Sequence, residues 1–511
     1  MEPEKKIENP PQTAPDMRIV ADSPIPSVAV AQSPPPQRHI SAKLTNMAWS
    51  AVILMAIGGF TALFATSQVN FTALASAFPV DVLAILVALD LFSRFVAQTG
   101  ALDAIGQRLA QATNGSPELA TVLMGLLMFA SSALLNNLAA IFILAPIFLT
   151  LLRAMRAPPR VTATFLSLML VLCNLGGMAT PMGDFPAILL MSSGLVGFMP
   201  YLKGAFPLAA SLALIAILFY SALIRRQHAA ACGRDDKART RIYLKLTSVH
   251  NRHSNPNLLR AILLTVVFAG MVLAWALIPP ATWPFFMTAL IGVAVAGIIA
   301  GPRLGAEVIG QYDLKTLITM TIILCMAALV SVSGVVQVVA NQLVATVPDG
   351  TLLLVALMTL VAIAAGLFSA GPATAAVLPI FITLSEGPLA QYGNLIGIAF
   401  AASICAGSSM FLHSATAGPT LRGEAVKAGF VGKNGKAHWG ALPYLGYGAL
   451  TAASQLSLSI AWILFAAENQ YAWVLNLVPI FLLLAVGVMV VRQAKAARPP
   501  KSTPTIATSI S

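Results

Sequence analysis

Four stretches of this sequence set polar, glycine-rich or proline-broken residues inside otherwise apolar runs, and they hold most of the groups able to do chemistry. The first is Ser131-Ser132-Ala-Leu-Leu-Asn136-Asn137, two hydroxyl and two amide side chains within seven residues. The second runs Asn174-Leu-Gly-Gly-Met-Ala-Thr-Pro-Met-Gly-Asp184 and carries Gly176, Gly177, Thr180 and one carboxylate. The third is Ser369-Ala-Gly371-Pro372-Ala-Thr374. The fourth extends from Ser403 to Ser414 and contains Gly407, Ser408, Ser409 and His413. Broken backbone at membrane depth is costly unless it lines a cavity. A break exposes N–H groups at one stub, which attract anions, and C=O groups at the other, which attract cations.

The chemistry open to these groups is ion and solute binding. Ser132, Asn136 and Asn137 supply oxygen ligands for a cation or donors to a substrate; read alone, they equally cap helices or bond between helices at ~0.6–2 kcal/mol each. Asp184 is ionisable between apolar flanks, which costs ~3 kcal/mol or more and marks a functional site. It can bind a cation, exchange a proton, or cap the helix expected at Phe185-Pro186, where proline in the first turn fits an N-cap. Asp90 and Arg94 lie four apart on one helix face, as a structural ion pair or with Asp90 as a proton-coupling carboxylate. His413 titrates, binds substrate, or serves as an interfacial histidine. Gly176, Gly177, Thr180, Gly407, Ser408 and Ser409 are the remaining candidate substrate contacts, with Asn137. The His250-Asn-Arg-His253 pair lacks further ligands and reads as solvated. A membrane enzyme would need a clustered set such as H-E-x-x-H; the sequence has none. The expectation is therefore no enzyme, no cofactor and no structural metal, with a sodium ion or a proton as the coupling ion.

The elements that must position these residues follow from composition. Of 511 residues, 58% are hydrophobic and 9% charged, against roughly 25% charged in soluble chains. Apolar blocks of about 20 residues, long enough to span ~30 Å of hydrocarbon, include 47–65, 206–224, 258–277, 284–300 and 474–491. The alternating pattern of an outer-membrane barrel is absent. The formal charge of +12 sits in tails and short loops, as the positive-inside rule requires, and no basic aromatic-bearing module points to nucleic acid. Cys173, Cys232, Cys325 and Cys405 have no metal or redox spacing.

The expected organisation is a disordered Pro-rich cytoplasmic tail over 1–43, a first membrane half over 44–224 (an opening helix plus repeat 1), and a basic cytoplasmic loop over 225–257. Linking helices over 258–300, repeat 2 over 301–466, a final transmembrane helix over 467–492 and a disordered tail over 493–511 complete it. The halves resemble each other: Val80-Asp81-Val82 before Gly100 matches Tyr312-Asp313-Leu314 before Gly334. Each half then has a Ser-rich break, a short apolar segment closed by proline (Pro146, Pro379), a Gly-rich interruption and a long helix. Loop charge flips sign between the halves. Arg108, Arg153, Arg156 and Arg160 have no counterparts in 340–349 and 385–394, whereas Arg422, Lys427, Lys433 and Lys436 face only Lys203. The halves thus read as inverted-topology repeats, the sequence mark of a secondary transporter. Both termini are expected in the cytoplasm, in a bacterial-type inner membrane.

These motifs carry a resemblance. The 174–186 stretch resembles the N-[IL]-G-G-x-x-T-x-x-G-D-P-P signature of the ion transporter superfamily, which includes arsenite permeases, one group of sodium–proton antiporters, the melanosomal P protein and the citrate-transporter-like divalent anion–sodium symporters. Ser132-Ala-Leu-Leu-Asn-Asn137 resembles its S-A-x-x-[DN]-N motif. Tyr312-Asp313-Leu-Lys-Thr-Leu317 is similar to the D-W-x-T-L opening of its second repeat, and Ala373-Thr-Ala-Ala-Val-Leu-Pro379 to T-A-A-x-L-P. Phe185-Pro186 stands where the pattern has Pro-Pro. The resemblance implies two inverted repeats with re-entrant hairpins and broken helices, and a homodimer working as an elevator. It also implies a coupling ion near Ser132, Asn136, Asn137, Ser369 and Thr374. The resulting expectation is an all-α polytopic membrane protein, an ion-coupled secondary active transporter for a small ion or small anionic solute. A sodium–proton antiporter is the alternative within transport; an ion channel or a non-transporting scaffold is the alternative outside it.

Overall fold

The structure, a computed structural model, describes residues 71–113, 115–229, 256–310, 312, 314–415, 417–431, 437–468 and 472–496. The N-terminal tail, the 47–65 block, Cys232, His250, His253, Asp313, Lys433, Lys436 and the last residues of the C-terminal tail lie outside the described residues.

Among the described residues, every element longer than an isolated bridge is helical. The first half comprises α1 (Phe71–Ala77), α2 (Val80–Ala97), α3 (Ala101–Ala112), α4 (Pro117–Leu134), α5 (Asn137–Ala154), α6 (Pro159–Ala179), α7 (Phe185–Ser192) and α8 (Phe198–Ala229). Then follow α9 (Leu258–Leu277), α10 (Phe285–Ala300) and α11 (Pro302–Gly310). The second half comprises α12 (Leu314–Val332), α13 (Val335–Thr346), α14 (Gly350–Phe368), α15 (Ala370–Ser385), α16 (Leu395–Ser408), α17 (Ala417–Lys427) and α18 (Ala441–Glu468), before a last helix α19 (Val478–Ala496). Among the described residues eight helices are long and apolar enough to cross a membrane, or nine when the pair around Gly334, bent by 65°, is taken as one span. The chain is a polytopic helical membrane protein.

The halves repeat in their punctuation as well as in helix order. Gly100 and Gly334 both adopt left-handed backbone, φ 67° and 76°, between α2 and α3 and between α12 and α13. Glycine meets no Cβ penalty there. Ser116 caps α4 by accepting from Leu119 N–H, and Asp349 caps α14 by accepting from Leu352 N–H, each satisfying one of the first-turn donors left without a helical partner.

Two expectations are corrected. Pro146 and Pro379 do not close short segments; both lie inside helices, α5 and α15. Proline removes one internal hydrogen bond but does not end a helix that its neighbours hold. The Gly-rich stretches are also mostly helical. α6 runs through Gly176 and Gly177 to Ala179, and α16 runs through Gly407 to Ser408, so the unwound segments are only 180–184 and 409–415.

α6 is the centre of the first half: Val161 to Ala179 are all buried, with α4 and α8 packed on either side. α16 takes the same position between α14 and α18. Glycines allow both close approaches. A Cβ on Gly176 would sit 2.5 Å from the Phe129 carbonyl oxygen of α4, and one on Gly407 would clash with the Ala362 carbonyl of α14. Hydroxyls join α6 to the second half: Thr164 meets the Tyr447 hydroxyl at 2.9 Å and Trp439 donates to Ser167 at 3.0 Å. The periphery is apolar and exposed, as at Leu273, Ile298 and Leu484, which suits helices that face lipid.

Candidate functional site

The first break lies between α4 and α5, the second between α6 and α7, and the fold brings the two together. Asn137, the first residue of α5, donates its side-chain amide to Asp184 Oδ2 at 2.8 Å. Asp184 Oδ1 accepts the Phe185 N–H at 2.9 Å and so caps α7. Ser132 Oγ lies within hydrogen-bond reach of both Asn137 Oδ1 and the Cys173 carbonyl; its single proton serves one of them at a time. Gly177 forms the floor beneath this group, where a Cβ would come 2.6 Å from Asn137 Oδ1. Asp184 has no basic partner among the described residues, so its charge meets only amide and backbone donors.

A small cavity of about 20 Å³ opens beside Asp184. Asn174, Gly177, Asp184 and Tyr201 line it from the first half, Cys405 and Ser408 from the second. A water needs about 10–15 Å³ by the same measure, so the cavity suits a water or a dehydrated monovalent cation. Asn174 donates to Ser409 across the halves at 3.3 Å, while its buried Oδ1 has no partner. An unpaired buried carbonyl oxygen costs ~1–3 kcal/mol, and a cation or water in the cavity would remove that cost. Ser408 lines the cavity although its hydroxyl is bonded back to Ile404 O at 2.7 Å.

Three helix N-termini converge here. α5 begins at Asn137 and α7 at Phe185, while a Cβ on Gly371, in the first turn of α15, would lie 3.8 Å from the Phe185 ring. Their summed dipoles present positive potential around the Asp184 carboxylate.

Other sequence candidates lie elsewhere. Asp90 forms a separate cluster: its Oδ2 pairs with Arg94 Nε at 3.0 Å and its Oδ1 accepts from Asn136 at 2.7 Å. Asn136 Oδ1 caps α5 by accepting from Ala139 N–H at 2.8 Å, and the Arg94 guanidinium stands 5.3 Å from the Tyr312 ring centre. Asn136 therefore serves Asp90, not the cavity. Thr374 is buried and bonded to Ala370 O within its own helix at 2.6 Å. Ser369 joins α14 to α15 with φ 77°, an uncommon conformation for a residue with a Cβ. His413 is exposed and stacks on Phe411; it does not line the cavity.

The third and fourth breaks repeat the scheme of the first two without the carboxylate. Thr180 donates to the Ala133 carbonyl at 2.6 Å, and Ser414 donates to the Gly366 carbonyl. Ala133 and Gly366 stand three residues before Asn136 and Ser369, the residues that immediately precede α5 and α15. Tyr201 was missed by sequence reasoning: it lines the cavity and donates to Met178 O at 2.8 Å. It is one aromatic residue in a long, mostly apolar helix. Cys405, which has no metal or redox spacing in the sequence, is another cavity wall.

The sequence model of the citrate transporter family matches residues 44–295. That stretch contains the first two breaks and neither of the second-half ones. Magnetosome protein MamN of Paramagnetospirillum magneticum is 25% identical over 179 residues, 35% of this chain and 38% of its own length. An uncharacterized transporter of Mycobacterium bovis is 30% identical over 140 residues, 27% of this chain and 32% of its own length. A 46 kDa membrane protein of Mycobacterium leprae is 30% identical over 146 residues, 29% and 32% of the two chains. The chain spans about a third of the length of the curated relatives it matches. The resemblance to the citrate-transporter-like ion transporter superfamily is borne out by the matching family and by relatives named as transporters.

Proposed function

We propose that this chain is a secondary active transporter that couples a sodium ion or proton to the movement of a small anionic solute by alternating access. One observation carries the reading. Asp184 is the carboxylate of a cavity walled by both halves, and amide and backbone donors hold it instead of a basic side chain.

An ionised carboxylate in apolar surroundings costs several kcal/mol unless its charge is matched. A cation in the cavity supplies the match, with Asp184, Asn174 Oδ1 and nearby carbonyls as hard oxygen ligands. Once Asp184 is neutralised, the three converging helix N-termini leave net positive potential, which recruits an anion. Cation first and anion second is then the electrostatic order, and the empty carrier is penalised for moving an unmatched charge. The solute class proposed is a small carboxylate, in keeping with the family description, or an inorganic anion. The paired contacts of Thr180 and Ser414 support two repeats built on one scheme, and an elevator motion within a homodimer is the working mode that the family resemblance suggests.

A sodium–proton antiporter is the second reading. It is favoured by the size of the cavity, which suits a cation and excludes a carboxylate in the conformation described.

Flux in proteoliposomes separates the two readings. Purified protein is reconstituted with a pH-sensitive dye inside, and sodium or pH gradients are imposed with and without labelled citrate. Uptake of the label that requires the gradient, absent in Asp184→Asn, supports symport. A dye response to sodium alone supports the antiporter. No response to either overturns the antiporter and the carboxylate symporter, and the same gradients with labelled sulfate and phosphate then decide the inorganic-anion case.

A further inference from the structure

α7 divides two cavities. Pro186 and Ala187 face the small cavity beside Asp184, whereas Leu189, Ser192 and Ser193 line a second cavity of about 160 Å³. The other walls of this larger space come from Asp81 near the start of α2 and from one side each of α12 and α15. Three helix faces run from it toward Asp184. On α7 the line is Ser192, Leu189, Phe185; on α12 it is Ser331, Ala327, Ile323; on α15 it is Pro379, Ala375, Gly371. Spacings of three or four residues keep each line on one side of its helix. The lines end together, since a Cβ on Gly371 would lie 3.4 Å from Ile323 Cδ1 and 3.8 Å from Phe185 Cδ1. Phe185 is also the residue whose N–H bonds Asp184 at 2.9 Å.

We propose that the larger cavity is the aqueous vestibule of the cation site, and that Phe185, packed with Ile323 against Gly371, is the constriction that closes it. This rests on the cation-coupled reading above and adds the route by which the ion arrives. The chemistry of the walls selects the occupant. Asp81 is the charged side chain of the cavity, and the hydroxyls of Ser192, Ser193 and Ser331 accompany it. The carbonyl end of α7 adds negative potential on the same side. Ser192 Oγ is buried without a partner, a cost of ~1–3 kcal/mol that a turn of the side chain toward water in the vestibule removes. α7 is eight residues long, or about 12 Å at 1.5 Å per residue, so the cation has one helix length to travel. The passage rounds the N-terminus of α7, past Phe185, to reach Asp184.

Native Cys405 lines the inner cavity and reports access to it. In proteoliposomes of the full chain in chloride-free buffer, its reaction with silver ion, a thiophilic monovalent cation small enough for the inner cavity, is followed as protection of the Cys405 peptide from later alkylation, read by mass spectrometry. Phe185→Ala is expected to raise the rate by about tenfold through access alone, and Ser331→Trp, which fills the vestibule, to reverse the rise. An unchanged rate in Phe185→Ala, or a rise that survives Ser331→Trp, overturns the proposal. Should Phe185→Ala not yield a monodisperse protein, Ser331→Trp alone is expected to slow Cys405 modification by about threefold, and no slowing overturns it. A silver rate left unchanged by Asp81→Asn, which removes the charge of the vestibule, overturns the cation assignment. Accessibility is read without any gradient. Gated access without cation-dependent flux would sink the transport reading and leave the vestibule standing; flux with ungated access would do the reverse.

Discussion

Asn137 donates its side-chain amide to Asp184 at 2.8 Å, while Asn136, its neighbour in the chain, donates to Asp90 at 2.7 Å. One break thus holds two carboxylates on two elements, and only one of them reaches the cavity between the halves. The adjacent amides diverge because Asn136 precedes α5 and has extended backbone, ψ 154°, whereas Asn137 is the first helical residue. That divergence separates a carboxylate that lines the cavity from one engaged by Arg94.

Asp184→Asn keeps the size of the side chain and an oxygen for the Phe185 N–H, but removes the charge. Cation-dependent flux is expected to fall by about two orders of magnitude, as when an interaction of about 3 kcal/mol is lost. The melting temperature in detergent should change little, since the capping bond survives and Asn137, by turning its amide, accepts from the new Nδ2 and donates to Ser132 Oγ, which keeps its bond to the Cys173 carbonyl. Dye-monitored flux on a monodisperse sample checks this. Retained flux would remove Asp184 from the coupling site and leave it as a helix cap.

Gly177→Ala tests the floor of the same group. Its methyl would approach Asn137 Oδ1 to 2.6 Å and Asp184 Cβ to 2.9 Å. Overpacking of this kind costs ~1–3 kcal/mol, and here it displaces the amide that holds the carboxylate, so flux should fall with stability. Gly270→Ala is the control: nothing lies within 4 Å of a Cβ there. In the interior of α9 it should stabilise by about 0.5–1 kcal/mol. Thermal unfolding of both variants, with flux per folded protein, distinguishes a local clash from a general intolerance of added methyls.

Asp90→Ala removes the acceptor of both Asn136 and Arg94. Because the Arg94 side chain is about a third exposed, the ion pair itself contributes ~1 kcal/mol or less; loss of the hydrogen bond from the half-buried Asn136 amide accounts for a further ~0.5–1.5 kcal/mol. The expected outcome is a lower melting temperature, partly restored by adding Arg94→Ala, with unchanged sodium and pH dependence of flux. A shifted pH dependence at unchanged stability would make Asp90 a coupling residue instead.

Local patterns made part of this legible. Asp184-Phe-Pro reads as an N-cap followed by a first-turn proline, and Asp90 and Arg94 read as a pair one helical turn apart; both are observed. Glycine misled because it signals two different things. At Gly100 it permits a left-handed turn, whereas at Gly176 and Gly177 it permits contact with α4 and Asn137 inside an unbroken helix. No local pattern separates these, since the reason lies on another helix. Proline misled similarly at 146 and 379, where packing overrides the lost hydrogen bond. The Asn136–Asp90 bond spans 46 residues, and Tyr201 is one aromatic in an apolar helix, so neither leaves a periodic or compositional trace.

Thr180 and Ser414 offer the sharpest test of the two halves as copies of one scheme. Each ties the unwound end of a central helix, α6 or α16, to a carbonyl in the last turn of the helix before the break. Ala133 O and Gly366 O are among the four carbonyls that a helix C-terminus leaves without an intrahelical partner. Removing the hydroxyl leaves each carbonyl unsatisfied in a buried setting, at ~1–3 kcal/mol. Thr180→Val and Ser414→Ala should therefore lower the melting temperature by similar amounts. Their effects on flux should differ, because Thr180 begins the segment that delivers Asp184 to the cavity and Ser414 belongs to a break without a carboxylate. Thr180→Val should thus reduce cation-dependent flux more strongly than Ser414→Ala at matched stability loss. Thermal unfolding and dye flux on both variants check the pair. Equal flux loss would mean that both ends of the scheme carry the coupling ion, and an undiminished melting temperature in either variant would make that hydroxyl contact incidental to the repeat.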